Sequence, residues 1–279
     1  MAFKNLLVHV DDTKACAARV RAAIDLAIAH GAHLCGVYVI GDTSPATFAG
    51  GYLPPETMEM LRRELGERAD AALARFTEEA QRNQISFETR TDRVVFAAMA
   101  QALATHARYA DVVILGQVDP DEPAASAFLP EEVTLASGRP TLVIPYIGPQ
   151  ATLGRRVTVA WDASREAARA VNDALPILTR AQAVGVVTVN PSDTPFGHGE
   201  QPGADIALHL ARHGIKVEVQ RIESREVDVA NVILSHIADQ SSDLLVMGAY
   251  GHSRLRELVL GGVTRTILHD MTVPVFMAH

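Results

Sequence analysis

The chain is 279 residues long and has only two cysteines, Cys16 and Cys35, a single tryptophan and 5% aromatic residues. Two cysteines in apolar surroundings exclude a disulfide framework and a cysteine-rich metal knuckle, and read as small core residues. No apolar run reaches the ~18–20 residues that a membrane-spanning helix needs. The opening "MAFKNLLVHVDD" meets aspartates too early for a secretory signal, so a soluble cytoplasmic protein with no membrane partner is expected. An excess of basic charge is missing as well. Lys+Arg 25 against Asp+Glu 33 gives a net charge of −8, which argues against a sequence-independent nucleic-acid surface.

What is abundant is hydrophobic sequence, 48% of the chain, enough to furnish two cores at this length. It is also patterned twice. "NLLVHVDD", the alanine-rich helical "ACAARVRAAIDLAIAHGA" and the strand-like "HLCGVYVI" recur in order as "RRVTVAWDAS", "REAARAVNDALPILTRA" and "AVGVVTVNP". Further on, "ADVVILGQ" matches "SDLLVMGA", and "GRPTLVIPY" matches "MTVPVFMAH". Near-continuous apolar strands alternating with helices indicate open parallel sheets covered on both faces. A period of about 150 residues indicates a duplicated domain rather than a solenoid. Residues 1–147 and 154–279 are therefore expected as two tandem Rossmann-like α/β domains, joined by a linker containing Gly148, Pro149 and Gly154.

The segments after the second strand of each half differ. In the first, Met58, Leu61, Leu65, Ala69, Leu73 and Phe76 form a helical stripe suited to core packing, with Pro55 near the helix start. In the second, "PSDTPFGHGEQPGADIALHLARHG" is richer in breakers, and a loop before a short helix is expected.

The densest glycine punctuation lies in "MGAYGHSRLRELVLGGVTRTIL", residues 247–268, with glycines at 248, 251, 261 and 262 and Thr264 close behind. A buried strand precedes it and a helical pattern follows. Ligands of parallel α/β sheets bind beyond the carboxyl ends of the strands. A helix start there offers unpaired N–H groups and partial positive charge to an anion. Gly261 and Gly262 admit close approach, Thr264 adds a hydroxyl, and Arg254 and Arg256 add charge. The stretch has no Gly-Lys-Ser/Thr and so is not a Walker loop, and "WDASREA" is neither a dinucleotide fingerprint nor a nucleophile elbow.

The spacing G-x2-G-x9-G-G-x-T resembles the nucleotide signature of the universal stress protein family, whose usual form is G-x2-G-x9-G-(Ser/Thr/Asn). With "VAWDAS", the resemblance covers essentially the whole chain as two such domains in tandem. It implies an adenine nucleotide α-hydrolase-like fold that binds ATP or another adenine nucleotide, with or without Mg2+. It places Ala160, Trp161, Asp162 and Val189 at the adenine and ribose end, and Met247 and Gly248 beside the ribose. Gly251, His252, Arg254, Gly261, Gly262, Val263 and Thr264 fall around the phosphates. The family's hydroxyl residue after the third glycine is here Gly262. The resemblance further implies pairing of the two domains through "TLVIPY" and "VPVFMAH" as an internal pseudo-dimer, with homodimerisation open.

The first half departs further. Asp11 matches Asp162, but only Gly116 survives of the signature, Asp119 replaces the second glycine, and Glu131 and Glu132 lie where phosphates would need positive charge. The stretch before Pro140 reads as too short for the usual loop plus helix. This half is expected not to bind nucleotide.

Other chemistries are weaker. His209 and His213 stand at helical i,i+4 spacing, with His198 and His252 elsewhere in the same half, but no Glu follows His209 in the zincin manner, so no metal site is assigned. No catalytic set is evident. A slow ATPase lacks an obvious base or arginine finger at a γ-phosphate, and a nucleotide-independent interaction scaffold is the remaining alternative to a nucleotide-binding stress protein.

Overall fold

The computed structural model describes residues 2–42, 54–122, 129–147, 153–191, 201–224, 226–251 and 262–279. Contacts divide the chain into two compact units, Ala2–Arg139 and Pro140–His279.

The first unit alternates strand and helix in the order β1 (Asn5–His9), α1 (Cys16–His30), β2 (His33–Asp42), α2 (Pro55–Arg82), β3 (Phe87–Val95), α3 (Met99–Ala107), β4 (Val112–Gly116) and α4 (Leu129–Ser137). Its strands are all parallel, in the order β3-β2-β1-β4. β1 and β4 are buried through most of their length, as the uninterrupted apolar runs require when helices cover both faces. α2 begins on Pro55, where the missing N–H costs nothing. Its expected stripe packs inward at Ala69, Leu73 and Phe76, while Met58, Leu61 and Leu65 are half-buried. One of the two glycines of β2, Gly36, lies beneath Phe76, where a Cβ would stand 2.7 Å from the ring. Cys16 and Cys35 are free and buried.

The second unit repeats the plan. β5 (Thr141–Ile144) is followed by β6 (Arg156–Ala160), α5 (Arg165–Leu178), β7 (Ala183–Val189), α6 (Ala204–Arg212), β8 (Val217–Ile222), α7 (Val229–Asp239), β9 (Leu244–Gly248), α8 (Val263–Asp270) and β10 (Val275–Ala278). The strand order is β5-β10-β9-β6-β7-β8. All neighbours are parallel except β5, which runs antiparallel to β10 with Val143 opposite Val275. The segments "TLVIPY" and "VPVFMAH" thus supply adjacent strands, and neither of these two apolar strands presents its paired edge to water. Val143, Ile233, Leu245, Met247, Ile267 and Val275 share one core cluster.

One correction concerns the end of the first unit. The connection before Pro140 does hold a helix, α4, with Glu131 and Glu132 in its first turn. Carboxylates there complement the helix dipole, so the acids that disfavour a phosphate favour the helix itself.

Duplication extends to single hydrogen bonds. The carboxylate of Asp111, just ahead of β4, accepts from the N–H groups of Lys4 and Asn5 at 2.6 and 2.9 Å. Asp243, just ahead of β9, accepts from those of Arg155 and Arg156 at 3.1 and 2.9 Å. Each clamps the start of the neighbouring strand. Asp243→Ala should lower the stability of the second unit by about 1–3 kcal/mol. Urea unfolding followed by Trp161 fluorescence measures it, and an unchanged midpoint would show that the clamp contributes nothing.

Candidate functional site

The carboxyl ends of β6, β7 and β9 surround a hollow of about 370 Å³. Its walls come from Ala160, Val187, Val189, Val229, Ile233 and Met247, its polar groups from Asp162, Asn190 and Thr264. A mostly apolar cavity with a few placed polar groups suits a small organic ligand. Trp161, Gly248, Gly251 and Val263 line the same hollow, and Gly262 stands immediately before α8. Sequence positions separated by a hundred residues therefore meet. His252, Arg254 and Gly261 lie outside the described residues. Two larger hollows, of about 490 and 620 Å³, contain none of the expected site residues.

Three helices start at this rim, and their beginnings differ. At α5 the Ser164 hydroxyl accepts from Ala167 N, and Asp162 Oδ1 accepts in turn from Ser164 N and Oγ. At α7 the Asp228 carboxylate accepts from Ala230 N and Asn231 N. These helices satisfy their leading amides internally. α8 begins on Gly262, and among the described residues no side-chain hydrogen bond caps it. Gly262 has φ −56° and ψ 151°, a backbone that any residue adopts, so its conformation does not call for glycine. Glycine adds no side chain of its own beside the leading amides.

Thr264 sits in the first turn of α8 and is buried, and its hydroxyl accepts from Tyr250 N at 3.2 Å. That bond ties the loop after β9 to the helix start. Gly248 acts differently from the expectation that it merely frees the chain to leave the strand. A Cβ there would stand 2.5 Å from Ala167 N and 2.9 Å from Glu166 C. Its glycine lets β9 lie against the first turn of α5. Gly251 is placed 3.2 Å, by the same measure, from the Glu166 carboxylate.

Backbone strain marks the site too. Ala163, Asn190 and Tyr250 all have positive φ, at 61°, 47° and 58°, an uncommon conformation for residues with a side chain. Each follows the end of one of the three strands that form the hollow. Asn190 is stabilised there by exchanging two bonds with the backbone of Ser224, at 2.7 and 2.8 Å. Sequence reading missed Asn190, Tyr250, Val229 and Ile233. An asparagine closing an apolar strand, and Asp228 ahead of an apolar helix, were the available signals.

The matching place in the first unit is built from other groups. Asp11 is held by Thr13 N and Oγ1 and by Arg19, whose guanidinium lies 2.7 Å away. Arg19 and His9 are both buried. Despite burial, which opposes charge, Arg19 and His9 hold the Asp11 carboxyl down at about 2. Burial pushes the His9 imidazole down to about 4, with Asp11 opposing and Arg19 assisting. No positive-φ residue other than glycine occurs around it among the described residues.

Comparison with known proteins gives a consistent picture. The sequence model of the Universal stress protein family matches residues 2–129 and 154–279. The universal stress protein Slr1230 of Synechocystis sp. is 38% identical over 66 residues, 24% of this chain and 22% of that protein, so the chain spans about a fifth of the length of this curated relative. Among solved structures, a universal stress protein from Archaeoglobus fulgidus DSM 4304 has a TM-score of 0.74 at 16% identity, covering 98% of this chain and 95% of its own. A functionally unknown protein from Pseudomonas aeruginosa PAO1 has a TM-score of 0.59 at 15% identity, with 99% and 92% covered. At such identities the likeness is one of fold.

The buried His9 generates a pH dependence of known sign. Its folded pKa of about 4 lies below the ordinary imidazole value of 6.5, so its contribution is complete above pH 6.5 and is lost as pH falls toward 4. Asp11, depressed from 3.8 to about 2, adds a further loss only below pH 4. Hydrogen exchange of the β1 and β4 amides should report about 2 kcal/mol less stability at pH 5 than at pH 7. His9→Gln should remove most of that difference, and an equal loss in the variant would exclude His9 as its source.

Proposed function

Because the chain belongs to the universal stress protein family, we propose that its second unit binds one adenine nucleotide in the hollow at the ends of β6, β7 and β9. The nucleoside lies between the apolar walls, with the Asp162 carboxylate accepting from its hydroxyls or amine. The phosphates lie against the first amides of α8, with Gly262 leaving room and the helix dipole favouring negative charge. The observation that carries this reading is the asymmetry of the three helix starts. Ser164 and Asp228 occupy the leading amides of α5 and α7, and among the described residues α8 alone of the three starts with no side-chain cap beside an apolar cavity.

The fit is chemical as well as steric. Asp162 is exposed, and a carboxylate accepts several hydrogen bonds, including those of a ribose or an exocyclic amine. The first unit differs, since acids occupy the first turn of α4 and Asp11 is ion-paired with Arg19. One nucleotide per chain follows. The role in stress response rests on nucleotide-dependent shape and partner binding, with no residue assigned to bond-breaking chemistry.

Trp161 lines the hollow and is the only tryptophan, so its fluorescence reports occupancy. Titration with ATP, ADP and AMP, repeated by calorimetry, should saturate at micromolar concentration and one site per chain. Asp162→Ala should weaken binding at least about tenfold, the scale of one charged hydrogen bond. Absence of binding at millimolar concentrations of all three nucleotides would leave the interaction scaffold as the function.

A further inference from the structure

Among the described residues the strands contain glycine at 36, 41, 116, 185 and 248. At Gly36, Gly41, Gly116 and Gly248 an added Cβ would meet a neighbouring atom at 2.7, 2.6, 2.1 and 2.5 Å. Gly185 of β7 is the exception, with nothing within 4 Å of its Cβ position. Its φ is not positive either, so the backbone does not call for glycine. A glycine inside a strand weakens the strand, and close approach by another group is its common justification. No group of this chain fills that place.

The space over Gly185 belongs to the hollow of about 490 Å³ bounded by the first halves of β6, β7 and β8 and the end of α7. It shares no residue with the nucleotide hollow at the other ends of the strands. The corresponding layer of the first unit is apolar. Leu7 pairs with Cys35 where Thr158 pairs with Gly185, and Ala110 precedes the Asp111 clamp where Ser242 precedes Asp243. Leu7, Cys35 and Ala110 belong to one hydrophobic cluster. His106 of α3 also reaches across to Asp92 and Arg90 of β3, at 2.7 and 3.3 Å. By strand register Ile222 and Gln220 stand in place of these two.

The second unit has thus exchanged packing for polar groups around open space. Thr158 and Ser242 are buried, with their hydroxyls 2.8 Å apart. That bond engages one of their two protons, and the other remains to be donated. His236 is 7% exposed. Burial lowers its pKa, with Asp239 opposing, so at neutral pH the ring carries one donor and one acceptor. Gln182, Gln220 and Gln240 add amides to the lining. Such groups both donate and accept, as the hydroxyls of a polyol do. In a chain of net charge −8, the lining holds two cations, Arg156 and Lys216, and one anion, Glu218. Arg156 is held at the end of α7, its Nε donating to the Gln240 carbonyl at 3.1 Å.

We propose that this hollow is a second ligand site, independent of the nucleotide site, for a small polyhydroxylated carboxylate of the sugar-acid class. The ring lies over Gly185, its hydroxyls meet Thr158, Ser242, His236 and the glutamine amides, and its carboxylate is turned toward Arg156 and Lys216. A cavity of this size with convergent polar groups is in the range of small-molecule sites.

Glucuronate is the probe, with glucose as its uncharged counterpart. Calorimetry on the full chain should give one glucuronate site, and glucose should bind at least about tenfold more weakly, the scale of one charged hydrogen bond. Gly185→Leu fills the hollow from a position where the new Cβ meets nothing. It should abolish glucuronate binding, unfold at no lower urea concentration than the wild type, and leave the Trp161 response to AMP unchanged. If Gly185→Leu does not fold, Thr158→Val, which removes the hydroxyl and keeps the shape, should weaken glucuronate at least about tenfold. No binding of glucuronate at millimolar concentration, or binding that survives Gly185→Leu in the folded chain, overturns the proposal. Equal affinity for glucose overturns the assignment to a carboxylate. Failure of AMP to bind bears only on the nucleotide site, so the two readings fail separately.

Discussion

The site depends on a contact between two stretches of backbone. β9 lies so close to the first turn of α5 that one methyl group on Gly248 would overlap Ala167 N. That approach fixes where the strand ends, where the loop carrying Tyr250 begins, and how far the start of α5 stands from the hollow. Interiors are packed too densely for such a contact to be relaxed at small cost. Asp162, held by Ser164 at the cap of the same helix, takes its position from it. The glycine is required by the protein's own backbone before any ligand arrives.

The first unit shows what happens when that contact is lost. Its helix α1 starts five residues after Asp11, against three between Asp162 and the start of α5, and the gap beside Gly116 is filled by the Arg19 guanidinium. A buried cation needs a buried anion, since a lone charge in the interior is far costlier than a paired one. Asp11 supplies it. The loss of the strand–helix contact and the ion pairing of the aspartate therefore go together.

Much of this was legible in the residues. The duplicated order of strands and helices, the parallel sheets and the convergence of Asp162, Val189, Met247, Gly251 and Thr264 follow from patterning and motif spacing, because strand ends in a parallel sheet share one rim. Three things were not legible. The role of Gly248 depends on a strand–helix distance that no spacing encodes. The strain at Ala163, Asn190 and Tyr250 is imposed by tertiary structure against local preference. Arg19 lies within an alanine-rich helical run, "ACAARVRAAI", where arginine ordinarily reads as a solvated position. The helix α4 was missed for a related reason: its acids were weighed against a phosphate and not against the helix dipole they complement.

The central claim is that the first amides of α8 receive an anion while those of α5 and α7 serve their own caps. Hydrogen exchange with and without AMP, read at the amides of residues 263–265, tests it most directly. The account predicts that AMP slows exchange at these amides, that adenosine slows it much less there while still protecting the loop after β6, and that the start of α4 is unaffected by either. Equal protection by AMP and adenosine at the start of α8, or protection by AMP confined to the first unit, would contradict it.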